Sequence, residues 1–217
     1  MYTFAPASRL PLPLPQVLDQ SAPGLLHRRN HVNDFALVPR EMAHFNALLA
    51  RLGRTQPPLE SDQLATAART LNDAARDDDS PCILQRMQHA SLLEQLLQDA
   101  DWEPAANVAA KLRLVVAYLH ESRQLIPDTV RGVGHLDQAI VIDTAWPKLA
   151  DEVASFVDYQ RLRRIEAERQ GRSYEEIAFN RHNWLELREI EARLHEHQRR
   201  VRESSYAPEP MSYFRVH

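Results

Sequence analysis

Apolar residues recur three and four positions apart through most of the chain, which is the spacing of helices with one buried face. The run PREMAHFNALLARLG puts Pro39 in a first turn, Met42, Phe45, Leu48, Leu49 and Leu52 on one face, and Gly53 at a stop. SDQLATAARTLNDAAR follows, with Ser61 placed to cap it and Leu64, Ala67, Ala68, Leu71 and Ala75 as its stripe. Ser80 and Pro81 form another cap and first turn, ahead of Ile83, Met87, Leu92, Leu93, Leu96 and Leu97. In the next segment Val108, Leu112, Val115, Val116 and Leu119 make a densely apolar face. A break at LIPDTVRGVGHLDQAIVID then precedes a segment that Pro147 kinks or restarts, with Leu149, Val153, Phe156 and Val157 inward. Gly171 ends that helix, and Ser173 and Glu176 have capping-box spacing at the head of a last one.

This grammar predicts an all-α protein: a compact multi-helix bundle of about seven or eight helices of ordinary length, with no internal repeat and no strand. Residues 1–38 are aperiodic and punctuated by proline, so they are expected to form an extended N-terminal arm. Residues 39–205 are expected to form a single helical domain, and 206–217 a second proline-punctuated tail.

Composition agrees with that reading and narrows the function. Of the 217 residues 44% are hydrophobic, which is enough for a core, and only five are glycine. The net charge of −4 comes without a basic block, which argues against a nucleic-acid partner. Positive charge is almost all arginine, with lysine only at Lys111 and Lys148; biased codon usage in a bacterium explains this more simply than an arginine-rich binding surface. A single cysteine, Cys82, excludes an internal disulfide and points to a reducing compartment. No segment approaches the length of a membrane span and the N-terminus has no secretory pattern, so a cytoplasmic protein is expected.

Chemistry is harder to find. The chain has no phosphate-binding glycine loop, no HExxH, no calcium loop and no paired CxxC, and no cofactor is implied. The corner carries His120, Glu121, Asp128, His135 and Asp137, residue types that suit zinc, iron or manganese. Asp128, His135 and Asp137 are the candidate metal ligands. The alternative, which the spacing favours, is that Asp128 caps a turn and Asp137 caps the following helix. On the last helix Leu187, Ile190, Leu194 and Val201 form a stripe in which His197 takes the remaining seam position, as in a short coiled-coil contact within the chain or across a homodimer, although at under three heptads ordinary intramolecular packing is favoured.

Residues 111–163 resemble the YkvA-like family, a bacterial domain of unknown function. The resemblance rests on Tyr118, Leu125, Ile126, Pro127, Asp128, Gly134, Leu136, Asp137, Ala139 and Ile142, which match an Ile-Pro-Asp corner and a Gly-x-x-Asp-Asp step between two apolar helices. Gln138 stands where the family has its second aspartate, and Arg113, Arg123 and Asp143 interrupt flanks that are more apolar in many members. The resemblance implies a helical hairpin and brings no established activity.

The function expected from the sequence is an interaction or regulatory module with a protein partner or a second copy of itself. It would dock through the last helix or the arm. The alternatives are a metal-dependent hydrolase or metal-binding protein centred on the corner, and a peripheral membrane protein attached through the hairpin at 112–146.

Overall fold

A computed structural model describes residues 12–19, 29–75 and 80–205 of the chain. The expected C-terminal tail, residues 206–217, lies outside them, as does most of the expected arm. Among the described residues are α1 (Pro39–Leu52), α2 (Ser61–Ala75), α3 (Pro81–Gln98), α4 (Ala106–Leu119), α5 (Leu136–Gln170) and α6 (Arg181–Ser205). The described residues are mostly helical, with six α-helices rather than seven or eight.

Two elements depart from the expectation, and the first of them lowers the count. First, α5 runs unbroken through Pro147 for 35 residues. Proline removes the N–H that would bond the carbonyl of Asp143, and Asp143 is exposed, so solvent can take that carbonyl. Ala145 and Leu149 on either side are fully buried, and their packing holds the helix across the gap. Second, the capping box of Ser173 and Glu176 closes only a 3-10 turn, Tyr174–Glu176. The true start of α6 is a pair of asparagines: Asn183 N–H donates to Asn180 Oδ1 and Asn180 N–H to Asn183 Oδ1, both at 3.1 Å.

The expected arm also departs from a wholly extended form. Residues Gln16–Leu18 make a 3-10 turn, and β1 (His31–Val32) pairs antiparallel with β2 (Phe35–Ala36). The pairing is His31 with Ala36 and Val32 with Phe35, a ladder too short to leave an alternating pattern in the sequence. Leu12, within PLPLP, is held at both of its backbone groups. Its N–H donates to Gln85 Oε1 at 2.8 Å, and its carbonyl accepts from Arg86 Nη1 at 2.8 Å.

The chain divides into two compact units, residues 1–158 and 159–217. In the first, α3 packs on α4, α1 on α4, and α2 on the 3-10 turn and β1. The stripe expected on α1 is buried, as are Leu64, Ala67, Ala68 and Leu71 of the stripe expected on α2, with Leu49, Leu52 and Leu64 completely so. Trp102, between α3 and α4, lies edge-on to Phe156 with centroids 5.7 Å apart and donates its indole N–H to Glu152 Oε1 at 3.1 Å. On α3 the buried residue that periodicity missed is Arg86, which is 2% exposed. It binds Asp143 through Nε at 2.9 Å and through Nη2, and donates Nη1 to the carbonyl of Cys82 at 3.0 Å.

The second unit is organised by Tyr159, which is fully buried. Its ring stacks on Phe179 at 5.7 Å and its hydroxyl donates to the Phe179 carbonyl at 3.1 Å. Arg163 donates Nη1 to the Tyr159 hydroxyl at 2.8 Å, and its guanidinium lies 4.6 Å from the centre of the Tyr174 ring. This cluster fixes the turn between α5 and α6.

Pro147→Ala restores the missing donor inside a helix already held at both sides. It is expected to raise stability by about 1–3 kcal/mol, read as a higher urea midpoint at unchanged slope.

Candidate functional site

The corner between α4 and α5 is where the sequence placed its candidate ligands, and the structure separates them. Asp137 lies in the first turn of α5, inside the helix rather than at its cap, and is completely buried. Its Oδ2 accepts from the Tyr118 hydroxyl at 2.6 Å and from the N–H groups of Leu125 at 2.9 Å and Ile126 at 3.1 Å. Its Oδ1 accepts from the N–H of Gln138 at 2.9 Å. The connection between the helices has no regular hydrogen bonds of its own at Leu125 and Ile126, and this carboxylate supplies them.

Asp128 and His135 do meet, but apart from Asp137. Asp128 Oδ1 accepts from Gln138 Nε2 at 3.1 Å, and His135 Nδ1 stands 3.0 Å from that same oxygen without hydrogen-bond alignment. Gln138 thus bridges the two halves of the corner through its side chain and its N–H. The remaining candidates turn elsewhere: His120 Nε2 pairs with Glu94 at 3.1 Å, and Glu121 lies 3.9 Å from His44. Among the described residues no group of three or more His, Cys, Asp or Glu side chains is placed to hold a metal ion. Asp128, His135 and Asp137 therefore do not form one ligand set here.

Backbone geometry makes the corner tight. A Cβ on Gly134 would fall well inside contact distance of the Asp128 carbonyl oxygen, so only glycine lets the two strands of the connection approach. Gly132 sits at φ +79°, and a Cβ there would stand 2.5 Å from Asn72 Oδ1. Asn72 in turn donates to Asn33 Oδ1 at 2.8 Å, and Asn33 donates to the Arg131 carbonyl at 3.2 Å, so α2 and the β-hairpin brace the same connection.

Burial pushes the Asp137 carboxyl up to about 6, although the four hydrogen bonds pull the other way. Burial and the neighbouring carboxylate push the Tyr118 hydroxyl up as well, so it stays protonated and donating. The carboxylate is sealed from solvent and accepts three hydrogen bonds at Oδ2 and one at Oδ1. Its arrangement suits holding the chain together, not acid–base chemistry. The apolar side of the hairpin is likewise used up within the fold, with Ile126, Leu136, Ile140, Val141 and Ile142 all buried. No helix among the described residues is long and apolar enough to cross a membrane.

Two other features are open to solvent in the first unit. A cleft of 240 Å³ is lined by Val38, Arg40, Phe45, Tyr118, Arg123 and Leu125 among others. On α3 and α5, His89 stacks on Trp146 at 4.1 Å; burial, then Arg86, holds its imidazole below the usual histidine range. The cleft is also lined by Glu41, His44 and Glu121, and His44 Nε2 stands 3.9 Å from Glu121 Oε1, a pair exposed to solvent. Periodicity could not have found them, because stacked and buried polar residues leave no regular spacing.

In the second unit the notable surface is α6. Leu187, Ile190, Leu194 and Val201 are 40%, 59%, 52% and 48% exposed, on a helix where every residue from Glu189 to Glu203 is exposed. Beside its first turns a groove of 540 Å³ runs between α5 and α6, lined by Leu162, Ile165, Ile177, Phe179, Leu187 and Ile190. Ile165 is itself 49% exposed. The stripe expected from the sequence is thus present, and within the described chain it faces solvent.

The corner yields two predictions. Because folding raises the Asp137 carboxyl from 3.8 to about 6, the folded form holds that proton more tightly. Its contribution is full below the unfolded value and is lost as pH rises through the folded one. Compared with Asp137→Asn, the wild type should lose about 3 kcal/mol of stability between about pH 4 and pH 7, measured by urea unfolding at each pH. Gly134→Ala drives a methyl into the Asp128 carbonyl and should cost about 3 kcal/mol, seen as a fall in the urea midpoint.

Comparison with protein families, with curated proteins and with solved structures finds no match to this chain.

Proposed function

We propose that this protein is a helical interaction module whose docking element is the apolar face of α6 with the adjoining groove. The observation that carries the reading is the stripe Leu187, Ile190 and Leu194, continued by Val201, left exposed along a 25-residue helix. Isolated apolar residues on a surface need no explanation, but a stripe at helical spacing beside a groove of mixed lining, with Leu162 and Ile165 next to Glu166, Arg169 and Arg172, supports a helix-binding surface. The flanks support it. Arg188 pairs with Glu191 at 2.5 Å and Arg193 with Glu189 at 2.5 Å, and Arg200 pairs with Glu196. These pairs keep α6 helical and charged around the stripe without covering it.

On this reading the YkvA-like hairpin of residues 111–163 is the structural part of the protein, and Asp137 stabilises its corner. The metal-centred alternative draws no support from the corner, where Asp137 is engaged by backbone donors and Asp128 faces His135 and Gln138.

The double variant Ile190→Glu with Leu194→Glu tests the proposal. Both sites are exposed, so its thermal midpoint should stay within about 2 °C of wild type. Association, whether with itself or with a protein from cell extract, should fall at least tenfold. An association that survives the variant unchanged, or wild type that associates with nothing, overturns the reading.

A further inference from the structure

We infer that the surface under residues 12–19, in the first unit, is a binding site for an extended, proline-bearing peptide, which the chain keeps filled with its own arm. The occupant that opens it is a segment of another protein that takes the arm's place. This site does not rest on the α6 reading. Four side chains of the body hold the arm, and each holds it by its main chain. Gln85 Oε1 accepts the Leu12 N–H at 2.8 Å, and Arg86 Nη1 donates to the Leu12 carbonyl at 2.8 Å. Gln63 Nε2 donates to the Val17 carbonyl at 3.0 Å, and Arg54 Nη2 to the Leu18 carbonyl at 2.6 Å. Of the side chains at 12–19 only Leu18 is buried, at 4% exposure, whereas Leu12 is 50% exposed. Main-chain donors and acceptors are common to all peptides, so these contacts select an extended backbone with one apolar anchor. Proline suits such a site. Pro15 lies at φ −53° and ψ 127°, near polyproline II, so a segment of this kind loses little conformational freedom on binding.

The seat is also set independently of what fills it. Arg86, which is 2% exposed, is tied to Asp143 through Nε at 2.9 Å and to the Cys82 carbonyl through Nη1 at 3.0 Å. Gln63 Oε1 accepts the Glu60 N–H at 2.8 Å, which turns its amide nitrogen to the arm. Arg54 Nε donates to the Pro57 carbonyl at 3.3 Å. None of these bonds involves the arm, so three of the four clamps keep their places when it leaves. A pre-organised site gives up no affinity to ordering its own groups. A second copy is a poor occupant, because its arm would make the same contacts and association would add its own entropic cost. An arm tethered in cis presents itself at roughly millimolar effective concentration, and a segment on another protein competes by adding contacts of that protein's own.

The test adds the peptide LPLPLPQVLDQ, residues 10–20, to the full chain. Labelled with fluorescein and followed by anisotropy, it should bind the Leu18→Asp chain, whose arm has lost its anchor, at least tenfold more tightly than wild type. On that chain a peptide methylated at the nitrogen of Leu12 should bind at least fivefold more weakly, while a Leu12→Ala peptide binds as the parent does. A Leu18→Asp peptide should not bind. In the wild-type chain, about 5 mM unlabelled peptide should speed hydrogen exchange at the Leu12 N–H at least threefold and leave the Leu49 N–H unchanged. No binding to a folded Leu18→Asp chain, binding indifferent to the N-methyl group, or unchanged exchange at Leu12 overturns the inference. Should Leu18→Asp unfold the chain, the exchange readout decides alone. A wild type that dimerises, and loses the dimer with Leu18→Asp, shows arms exchanging between copies and overturns the assignment to another protein.

Discussion

A buried carboxylate that takes hydrogen bonds from a stretch of chain with no secondary structure is the constraint on which the first unit depends. Two helices can meet at a sharp corner only if the backbone N–H groups between them find acceptors, since an orphaned donor in the interior costs about 1–3 kcal/mol. Asp137 accepts from Leu125 and Ile126 N–H with one oxygen and from Gln138 N–H with the other, while the Tyr118 hydroxyl ties in α4. Solvation lost on burial opposes this, and the elevated carboxyl pKa is the sign of that opposition. The corner is therefore held by a group that is itself under electrostatic cost. That is tolerable because the carboxylate satisfies several donors at once, the Leu125 N–H shared with the Tyr118 hydroxyl at 3.2 Å.

The same economy recurs elsewhere in the chain. Arg86 is buried on α3 and joins Asp143 of α5, the carbonyl of Cys82 and the carbonyl of Leu12, so one guanidinium connects three segments. Arg163 does the equivalent in the second unit, reaching the Tyr159 hydroxyl and the Tyr174 carbonyl. In each case a planar, multidentate cation serves where irregular chain meets a helix. Part of the arginine content that composition ascribed to codon usage is thus in structural service. The distinction matters for function, because arginines spent in this way are not a binding surface.

α6 is the counterpart to these enclosed residues. Its charged residues satisfy one another at three- and four-residue spacing, and its apolar stripe is left without cover in the described chain. A helix this polar keeps its form through capping by Asn180 and Asn183 and through its surface pairs rather than through a core. The ion pairs that hold the helix and the apolar stripe proposed to dock lie at different positions around it.

By itself the sequence determined where helices form, because apolar spacing, proline and glycine act locally and leave a readable period. The buried stripe of α1 and the stops at Gly53 and Gly171 needed nothing else. It also marked the corner, since Gly134 and the adjacent proline and aspartates are required by geometry over a few residues. Tertiary structure decided the rest. Whether Pro147 ends a helix depends on what packs beside it, and α5 continues because Ala145 and Leu149 are buried. Whether Asp137 caps, ligates or binds backbone depends on which groups converge on it from other segments, a long-range matter that spacing along the chain cannot encode. The start of α6 lay in an Asn-x-x-Asn pair weaker as a signal than Ser173 and Glu176, and only the packing of Tyr159 on Phe179 pushed the helix start beyond the nearer box. The stripe on α6 was legible as a pattern. Its exposure was not, because a pattern states which residues share a face and never what covers it.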